Sequence, residues 1–278
     1  MQKTIVITGV TSGIGKALIH HFASKNEHVI GISRNKEKLD LVLQELNEKY
    51  PNHQVKMMTC DFSSFRDMQR TTQNLQNLYK DGIDILINNA AIVTKAKKFT
   101  IDDYEMQYQV NHLAVAYFTI RLKELIIKKN GRVITTSSDA HKRANFAEQD
   151  LQAIKKYHPF RSYCRTKLYN IIFTLYIDKV YDDSTINFYA VHPGRVRTEI
   201  GTKDTSVLYA LFWKWFTKNG FEPEEVVSTY DMLVYDKVIE NENYFYQNKP
   251  LDIKAIAYDL NYQEILWEET MKAIFPYL

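Results

Sequence analysis

Tyr163 and Lys167 form the one Tyr-x-x-x-Lys pair of the chain, and the surrounding residues predict a helix over 162–180. A spacing of four places both side chains on the same helix face. A lysine ammonium beside a phenol lowers the pKa of the phenol, which then exchanges a proton with a substrate oxygen near neutral pH. Such pairs are common by chance, but this one follows the fifth predicted strand, at the sheet edge where open α/β folds bind ligands. Tyr163 is therefore a candidate acid/base.

Ser138 ends the fifth predicted strand. A hydroxyl at that edge can hydrogen-bond a carbonyl oxygen and stabilise the charge that develops on it. Serine is also common at strand ends, so a structural role is an equal alternative.

Tyr157 and Arg161 repeat the spacing of four, but Pro159 lies between them and argues against a continuous helix. That pair is not a candidate.

A glycine-rich turn follows the first predicted strand and opens a helix. Its candidate cofactor-binding residues are Gly9, Thr11, Ser12, Gly13, Ile14 and Gly15. Glycine lets the backbone approach a pyrophosphate, and the helix N-terminus adds N–H groups and a favourable dipole. The pattern predicts a dinucleotide site, with an ordinary strand-to-helix turn as the alternative.

Arg34 follows the second predicted strand, where an NAD-preferring site usually has an acidic residue. The planar guanidinium suits a 2′-phosphate, so the sequence favours NADP(H) over NAD(H), with a solvated surface arginine as the alternative. Asp61 and Phe62 follow the third strand, where an adenine amino group would lie. Asn89 and Ala90 follow the fourth, where small residues let the cofactor pass over the sheet.

Short β-branched runs alternate with helical patterns along most of the chain. Strands are predicted at 4–7, 28–33, 55–60, 83–87, 133–136 and 186–191, and long helices at 13–25, 104–129 and 162–180. This rhythm predicts an α/β fold, a Rossmann-type doubly wound parallel sheet of about seven strands with helices on both faces. A helix beginning near 222, an edge strand at 243–246 and an amphipathic helix from about 255 complete it. No linker divides the chain, so 1–278 is one predicted domain.

Composition and charge argue against several classes of protein. The net charge of +3 and the lack of long basic runs argue against nucleic-acid binding. Two cysteines provide neither a disulfide framework nor a metal site, so we expect no metal and a reducing, cytoplasmic location. No apolar run approaches the roughly 20 residues that cross a bilayer.

These motifs together resemble the short-chain dehydrogenase/reductase family, whose pattern is Thr-Gly-x3-Gly-x-Gly, Asn-Asn-Ala-Gly, a helix Asn, a strand-end Ser and Tyr-x3-Lys. The resemblance implies that Asn111 supports Lys167 through a water and that Ser138 orients the substrate oxygen. It implies that Tyr163 is the acid/base and that Lys167 also holds the nicotinamide ribose.

The loop after the sixth predicted strand extends the resemblance. It contains His192, Pro193, Gly194, Val196 and Thr198. The last four are expected to bind the cofactor, as in the family loop over the nicotinamide amide. His192 is by its chemistry a candidate general base, although we favour a structural role.

Two departures from the family pattern stand out. Ala91 replaces the glycine of the fourth-strand motif, which is tolerated if its backbone angles do not require glycine. The spacing of 25 residues from Ser138 to Tyr163 is long. The intervening sequence resembles the retinol dehydrogenase and WW-domain oxidoreductase-like branch, for some members of which retinoid or lipid substrates are implied.

The resemblance divides the domain into a cofactor-binding and catalytic core, 1–198, and a substrate lid with C-terminal elements, 199–278. Aromatic and aliphatic residues in the lid suggest an apolar ligand. The candidate substrate residues are Leu208, Phe212 and Trp213. Packing on the core is an alternative for this segment, and contact with a membrane surface is another.

Two functions remain open at this point. The first is an NADP(H)-dependent enzyme that interconverts an alcohol and a carbonyl on a small molecule. The second is a regulatory protein that binds NADP(H) without turnover. The family resemblance further suggests a homodimer through the two long helices, 104–129 and 162–180.

Overall fold

A single sheet organises the computed structural model, which describes residues 2–181, 185–197, 220–236 and 242–278. Within these residues its strands are β1 (Thr4–Thr8), β2 (His28–Ser33), β3 (Gln54–Thr59), β4 (Ile85–Asn88), β5 (Arg132–Thr136), β6 (Asn187–Val191), β7 (Tyr244–Tyr246) and β8 (Lys249–Pro250). The spatial order is β3-β2-β1-β4-β5-β6-β7-β8, with β1 to β7 parallel and β8 antiparallel to β7. The predicted doubly wound fold is confirmed.

The edge strand differs from the prediction. The strand at 243–246 is covered by β8, so the described sheet has eight strands rather than about seven. Gln247 and Asn248 connect the two strands with positive φ angles of 47° and 63°. Two left-handed residues make the tight turn whose twist suits a β-hairpin, and without a glycine the turn is hard to recognise in the sequence.

Helices cover both faces of the sheet. They are α1 (Gly13–Ser24), α2 (Lys36–Lys49), α3 (Phe65–Leu78), α4 (Met106–Tyr108, Gln109–Leu113 and Ala114–Ile127 in succession), α5 (Pro159–Val180), α6 (Val227–Tyr235) and α7 (Leu260–Ile274). Ile5 and Ile7 of β1 contribute to the apolar core under α1, α2 and α6, whereas Val6 points into the core under α3, α4, α5 and α7. Strands buried on both faces explain the continuous apolar runs. None of the helices in the described ranges is long and apolar enough to cross a membrane.

Helix boundaries follow local capping. Helix α5 begins at Pro159 with His158 as N-cap, because proline fits the first helical position. Helix α7 begins at Leu260 rather than near 255, after a 3-10 turn at Ala255–Tyr258, because the Asp259 side chain accepts a hydrogen bond from the Tyr262 N–H. Helix α6 begins at Val227, and turns precede it where the prediction began a helix near 222.

The C-terminal segment packs on the long helices. The Trp267 ring of α7 lies 6.1 Å from the ring of Phe173 and 5.3 Å from that of Tyr176, both on α5. The Tyr277 ring stacks on Phe65 at 4.4 Å. The homodimer through α4 and α5 stays a prediction, and a partner would have to approach faces of α5 that α7 leaves uncovered.

We expect Phe65→Ala to destabilise the folded chain by about 3–5 kcal/mol, because it empties a site shared by three tyrosine rings. Urea denaturation of the purified protein measures the change. Leu78→Ala is the matched control on the same helix, since Leu78 is 61% exposed. Equal losses in both variants would contradict this assignment of the packing.

Candidate active site

A cleft of about 330 Å³ opens along the carboxyl ends of the strands. Among the predicted site residues, those that line it are Gly9, Thr11, Ser12, Gly13, Ile14, Arg34, Asp61, Phe62, Asn89, Ala90, Ser138, Tyr163, Lys167, Pro193, Gly194 and Val196. Gly15 and Asn111 do not line it; Gly15 packs under the glycine loop, and Asn111 is fully buried. Thr198, Leu208, Phe212 and Trp213 lie outside the described residues.

The turn after β1 requires its glycines. Gly9 and Gly13 have φ angles of 78° and 54°, which residues other than glycine rarely adopt. A Cβ at Gly15 would lie 2.2 Å from the Gly9 carbonyl oxygen. The turn therefore folds tightly onto the first turn of α1 and keeps its backbone open to the cleft, as close approach of a phosphate requires.

Thr8 connects this turn to the end of β4, a role that no pattern in the sequence predicts. Its Oγ1 accepts hydrogen bonds from the Asn89 and Ala90 N–H groups, both at 3.0 Å. The Asn89 Nδ2 donates to the Thr8 carbonyl oxygen at 3.0 Å. Ala91 does not have a positive φ, so this position does not need the family's glycine.

The two charged residues that line the cleft after β2 and β3, Arg34 and Asp61, differ in their surroundings. The Arg34 side chain is exposed at the cleft, and within the described ranges it forms no ion pair. Next to it the Thr11 and Ser33 hydroxyls lie 3.1 Å apart. The Asp61 Oδ1 accepts from the N–H and the hydroxyl of Ser63, at 3.0 and 2.7 Å. The end of β2 thus presents a cation, and the end of β3 a fixed carboxylate.

Lys167 is buried beside Tyr163. Its side-chain Nζ donates to the Thr136 carbonyl oxygen at 2.8 Å and lies 5.6 Å from the centre of the Tyr163 ring. Burial lowers the pKa of Lys167 to about 7 because an ammonium is poorly solvated there. The Ser137 hydroxyl donates to the Lys167 carbonyl oxygen at 2.8 Å. This places an amine that titrates near neutral pH next to the candidate acid/base.

The Ser138 hydroxyl faces the same cleft. Its Oγ accepts from the Ala140 N–H at 3.2 Å and so caps the 3-10 turn Asp139–Arg143. A hydroxyl that accepts one backbone hydrogen bond keeps its own proton available to donate. The Ser138 hydroxyl can therefore donate a hydrogen bond to a substrate oxygen that is bound between Ser138 and Tyr163.

Asn111 acts from behind the cleft. It lies in the π-helical part of α4, and its amide pairs with the backbone of Ile92: Oδ1 accepts from the Ile92 N–H at 2.8 Å and Nδ2 donates to the Ile92 carbonyl at 2.9 Å. The Asn111 carbonyl oxygen accepts from the Asn170 side chain at 2.9 Å. Asn111 thereby fixes a segment that lines the cleft.

A further set of buried groups supports Asn111, and no sequence signal indicated it. The His112 Nδ1 lies 3.3 Å from the Asn170 Oδ1, and the His112 Nε2 lies 2.9 Å from the Thr270 hydroxyl of α7. Burial lowers the pKa of His112 to about 4, so its ring is neutral at neutral pH. These hydrogen bonds connect the C-terminal helix to the helix that carries Lys167.

His192 has a structural contact rather than a free basic nitrogen. Its Nδ1 accepts from the Asp139 N–H at 3.2 Å and the Gly194 N–H at 3.1 Å, and its ring stacks on Tyr246 at 4.6 Å. Burial lowers the pKa of His192 to about 4. The neutral ring thus joins the loops that follow β5 and β6.

Known proteins share this arrangement of motifs. A family model described as short chain dehydrogenase matches residues 3–207. The chain belongs to the short-chain dehydrogenase family. Members are oxidoreductases that act on alcohols or carbonyls with a nicotinamide cofactor, so the resemblance inferred from the sequence is confirmed at that level.

Relatives place the chain within this family. Human retinol dehydrogenase 13 is 30% identical over 221 residues, which cover 76% of this chain and 66% of the relative. The chain thus spans slightly less than two thirds of the length of that relative. Human polyprenol dehydrogenase is 25% identical over 286 residues, covering 97% of this chain and 84% of the relative.

A solved short-chain dehydrogenase has the same fold. The enzyme from Sphingobium yanoikuyae, in complex with NADPH, superposes with a TM-score of 0.68 at 20% identity, over 96% of this chain and 95% of the other. At this identity the likeness concerns the fold alone. The fit of a nicotinamide dinucleotide rests on this chain's own glycine turn and the charged ends of β2 and β3.

We expect Lys167→Met to change how stability depends on pH. Burial lowers the pKa of Lys167 to about 7 from an ordinary value of 10.5, so between these values the unfolded chain binds more protons than the folded chain. As the pH rises through this range, the free energy of unfolding of the wild type therefore increases relative to that of the variant. The increase is up to about 1.4 kcal/mol per pH unit. Urea denaturation of both proteins at several pH values measures this. A difference that does not vary with pH would contradict the buried, neutralised amine.

Proposed function

We propose that this chain is an NADP(H)-dependent oxidoreductase that interconverts an alcohol and a carbonyl on a small, largely apolar molecule. The observation that carries the proposal is that one cleft has a phosphate-compatible end and a proton-transfer end. The glycine turn and Arg34 lie at the first, and Ser138, Tyr163 and Lys167 lie at the second.

The proton-transfer end supports a direct role for Tyr163. When bound, a nicotinamide supplies or accepts the hydride at the carbon that reacts. The Tyr163 hydroxyl donates a proton to the substrate oxygen in reduction and takes it back in oxidation, while Ser138 orients that oxygen. The pKa of Lys167, about 7, leaves its ammonium form partly populated at neutral pH, and this form stabilises charge on the phenol. Lys167 also holds the ribose, and Asn111 supports Lys167 through a water.

Arg34 supports the choice of NADP(H) over NAD(H). The Arg34 guanidinium is exposed at the end of β2, and no carboxylate among the described residues pairs with it. Its N–H groups are therefore available to donate to a 2′-phosphate. The NADPH bound to the Sphingobium relative is consistent with this choice.

Apolar side chains in the cleft support an apolar substrate. Val93, Met106, Val110 and Phe160 line the cleft. The relatives are named for retinol and polyprenol, both alcohols with long hydrocarbon chains. The rival function, NADP(H) binding without turnover, does not require Ser138, Tyr163 and Lys167 to share one cleft.

The chemistry of the cysteines supports a cytoplasmic location, with contact with a membrane surface as a further option. Cys60 and Cys164 are buried free thiols. Burial raises the pKa of Cys60 to about 12 and that of Cys164 to about 11, so both stay in the unreactive thiol form.

Arg34→Ala is expected to weaken NADPH binding about tenfold to a hundredfold and to leave NADH binding nearly unchanged, since one charge-assisted contact to the 2′-phosphate is lost. Titration followed by nicotinamide fluorescence measures both affinities. The control is Lys36→Ala, because Lys36 is exposed nearby and pairs with Asp40 outside the cleft. Equal weakening of both nucleotides would contradict recognition of the 2′-phosphate.

Tyr163→Phe is expected to lower kcat about a hundredfold to ten-thousandfold with NADPH and apolar aldehydes or ketones, while NADPH binding is kept. Tyr176→Phe serves as control on the same helix, where the ring packs on Trp267. Wild-type protein that binds NADPH but turns over no carbonyl of a broad panel would favour the regulatory function instead.

A further inference from the structure

Two basic side chains besides Arg34 and Lys167 carry this inference. Lys98 and Arg143 both line the cleft. They belong to segments that follow β4 and β5, whereas Arg34 follows β2 on the other side of the glycine turn. Within the part of the chain that the structure describes, neither Lys98 nor Arg143 forms an ion pair.

Arg143 is held at a defined distance from the reacting end. Its guanidinium carbon lies 5.7 Å from the centre of the Phe160 ring. Phe160 precedes Tyr163 by three residues on α5, so the two rings are neighbours on one helix face, one turn apart. Arg143 and Tyr163 therefore both adjoin Phe160.

The backbone of Lys98 is fixed at the rim of the same cleft. Its carbonyl oxygen accepts from the Met106 N–H at 2.9 Å. The next residue, Phe99, forms an antiparallel bridge with Glu105, which is fully buried at the start of α4. The lysine side chain is thus exposed at the opening although its backbone is anchored.

The charge of this end remains positive when its acid is included. Asp139 also lines the cleft and lies on the same 3-10 turn as Arg143, but no ion pair joins the two side chains. An arginine fork held on an aromatic ring, with no carboxylate of the described chain on it, suits a planar anion. Apolar side chains, among them Val110 and Phe160, line the same cleft.

We propose that the substrate carries a carboxylate, joined to the reacting carbon by an apolar segment, and that Arg143 binds this carboxylate with help from Lys98. The proposal rests on the proposed function and gives it a substrate class, ω-oxo or ω-hydroxy carboxylates. The carboxylate then determines which carbon of the chain reaches Tyr163, because the two ends of the substrate are bound by different residues of one cleft.

The test compares azelaic semialdehyde with its methyl ester and with nonanal, using the full chain and NADPH. We expect the wild type to favour the acid over the ester at least tenfold in kcat/KM. In Arg143→Ala we expect the ratio of kcat/KM for the acid to that for the ester to fall about tenfold to a hundredfold. The fall should come from a higher KM for the acid, while the kinetic constants for the ester stay the same. Lys98→Ala has a smaller effect in the same direction.

Matched controls are Lys142→Ala and Lys95→Ala. Lys142 is adjacent to Arg143 in sequence and Lys95 is three residues before Lys98; both lysines are exposed, but they do not line the cleft. Both variants should keep the full preference for the acid. A loss of preference in the controls equal to that in Arg143→Ala would mean a general effect of positive charge and would overturn the proposal.

The remaining outcomes separate this proposal from the proposed function. Turnover of nonanal and the ester with no preference for the acid would overturn the carboxylate site and keep the oxidoreductase. No turnover of any of the three, with NADPH bound, would remove both.

A membrane is the other anionic surface that these cations could meet, because Phe99 and Ile101 nearby are 47% and 78% exposed. Sedimentation with phosphatidylglycerol and phosphatidylcholine vesicles tests this. Loss of vesicle binding in Arg143→Ala and Lys98→Ala, with the preference for the acid kept, would overturn the substrate site.

Discussion

The hydrogen bond from the Lys167 amine to the Thr136 carbonyl connects helix α5 to the end of strand β5. An amine without a carboxylate partner is costly to bury, and it is accommodated here by a lowered pKa rather than by an ion pair. The position of Tyr163, one turn earlier on α5, and that of Ser138, just beyond β5, both depend on this contact. The proposed proton-transfer end of the cleft is therefore built at one helix-to-strand junction.

The nucleotide end depends on a different constraint, the close approach of backbone to backbone. Gly15 sits against the Gly9 carbonyl with no room for a side chain, and Thr8 accepts from the end of β4. Parallel strands bring these turns to one edge of the sheet, so the glycine turn and the junction at Lys167 open into the same cleft.

Charge is distributed unevenly along that cleft. Arg34 lies at the end of β2 and Arg143 on the turn after β5, and both line the cleft with Tyr163. Such an arrangement suits two ligands that each carry an anionic group away from the reacting atoms. A cofactor phosphate and a substrate carboxylate would then each be bound away from the reacting carbon, where charge would not interfere with hydride transfer.

Residues close together along the chain determined much of this from the sequence alone. The alternation of strands and helices, the glycine turn and the Tyr163–Lys167 pair follow from local patterns of hydrophobicity and backbone preference, whereas α5 begins at Pro159, three residues before the predicted start. The β7–β8 hairpin could not be predicted from the sequence because its turn uses Gln247 and Asn248 rather than glycine.

Only the tertiary structure decided which distant groups meet. His112 reaches Thr270 across 158 positions, and Lys98 shares a cleft with Arg143, because these contacts depend on where separate segments return in space rather than on their neighbours in the chain.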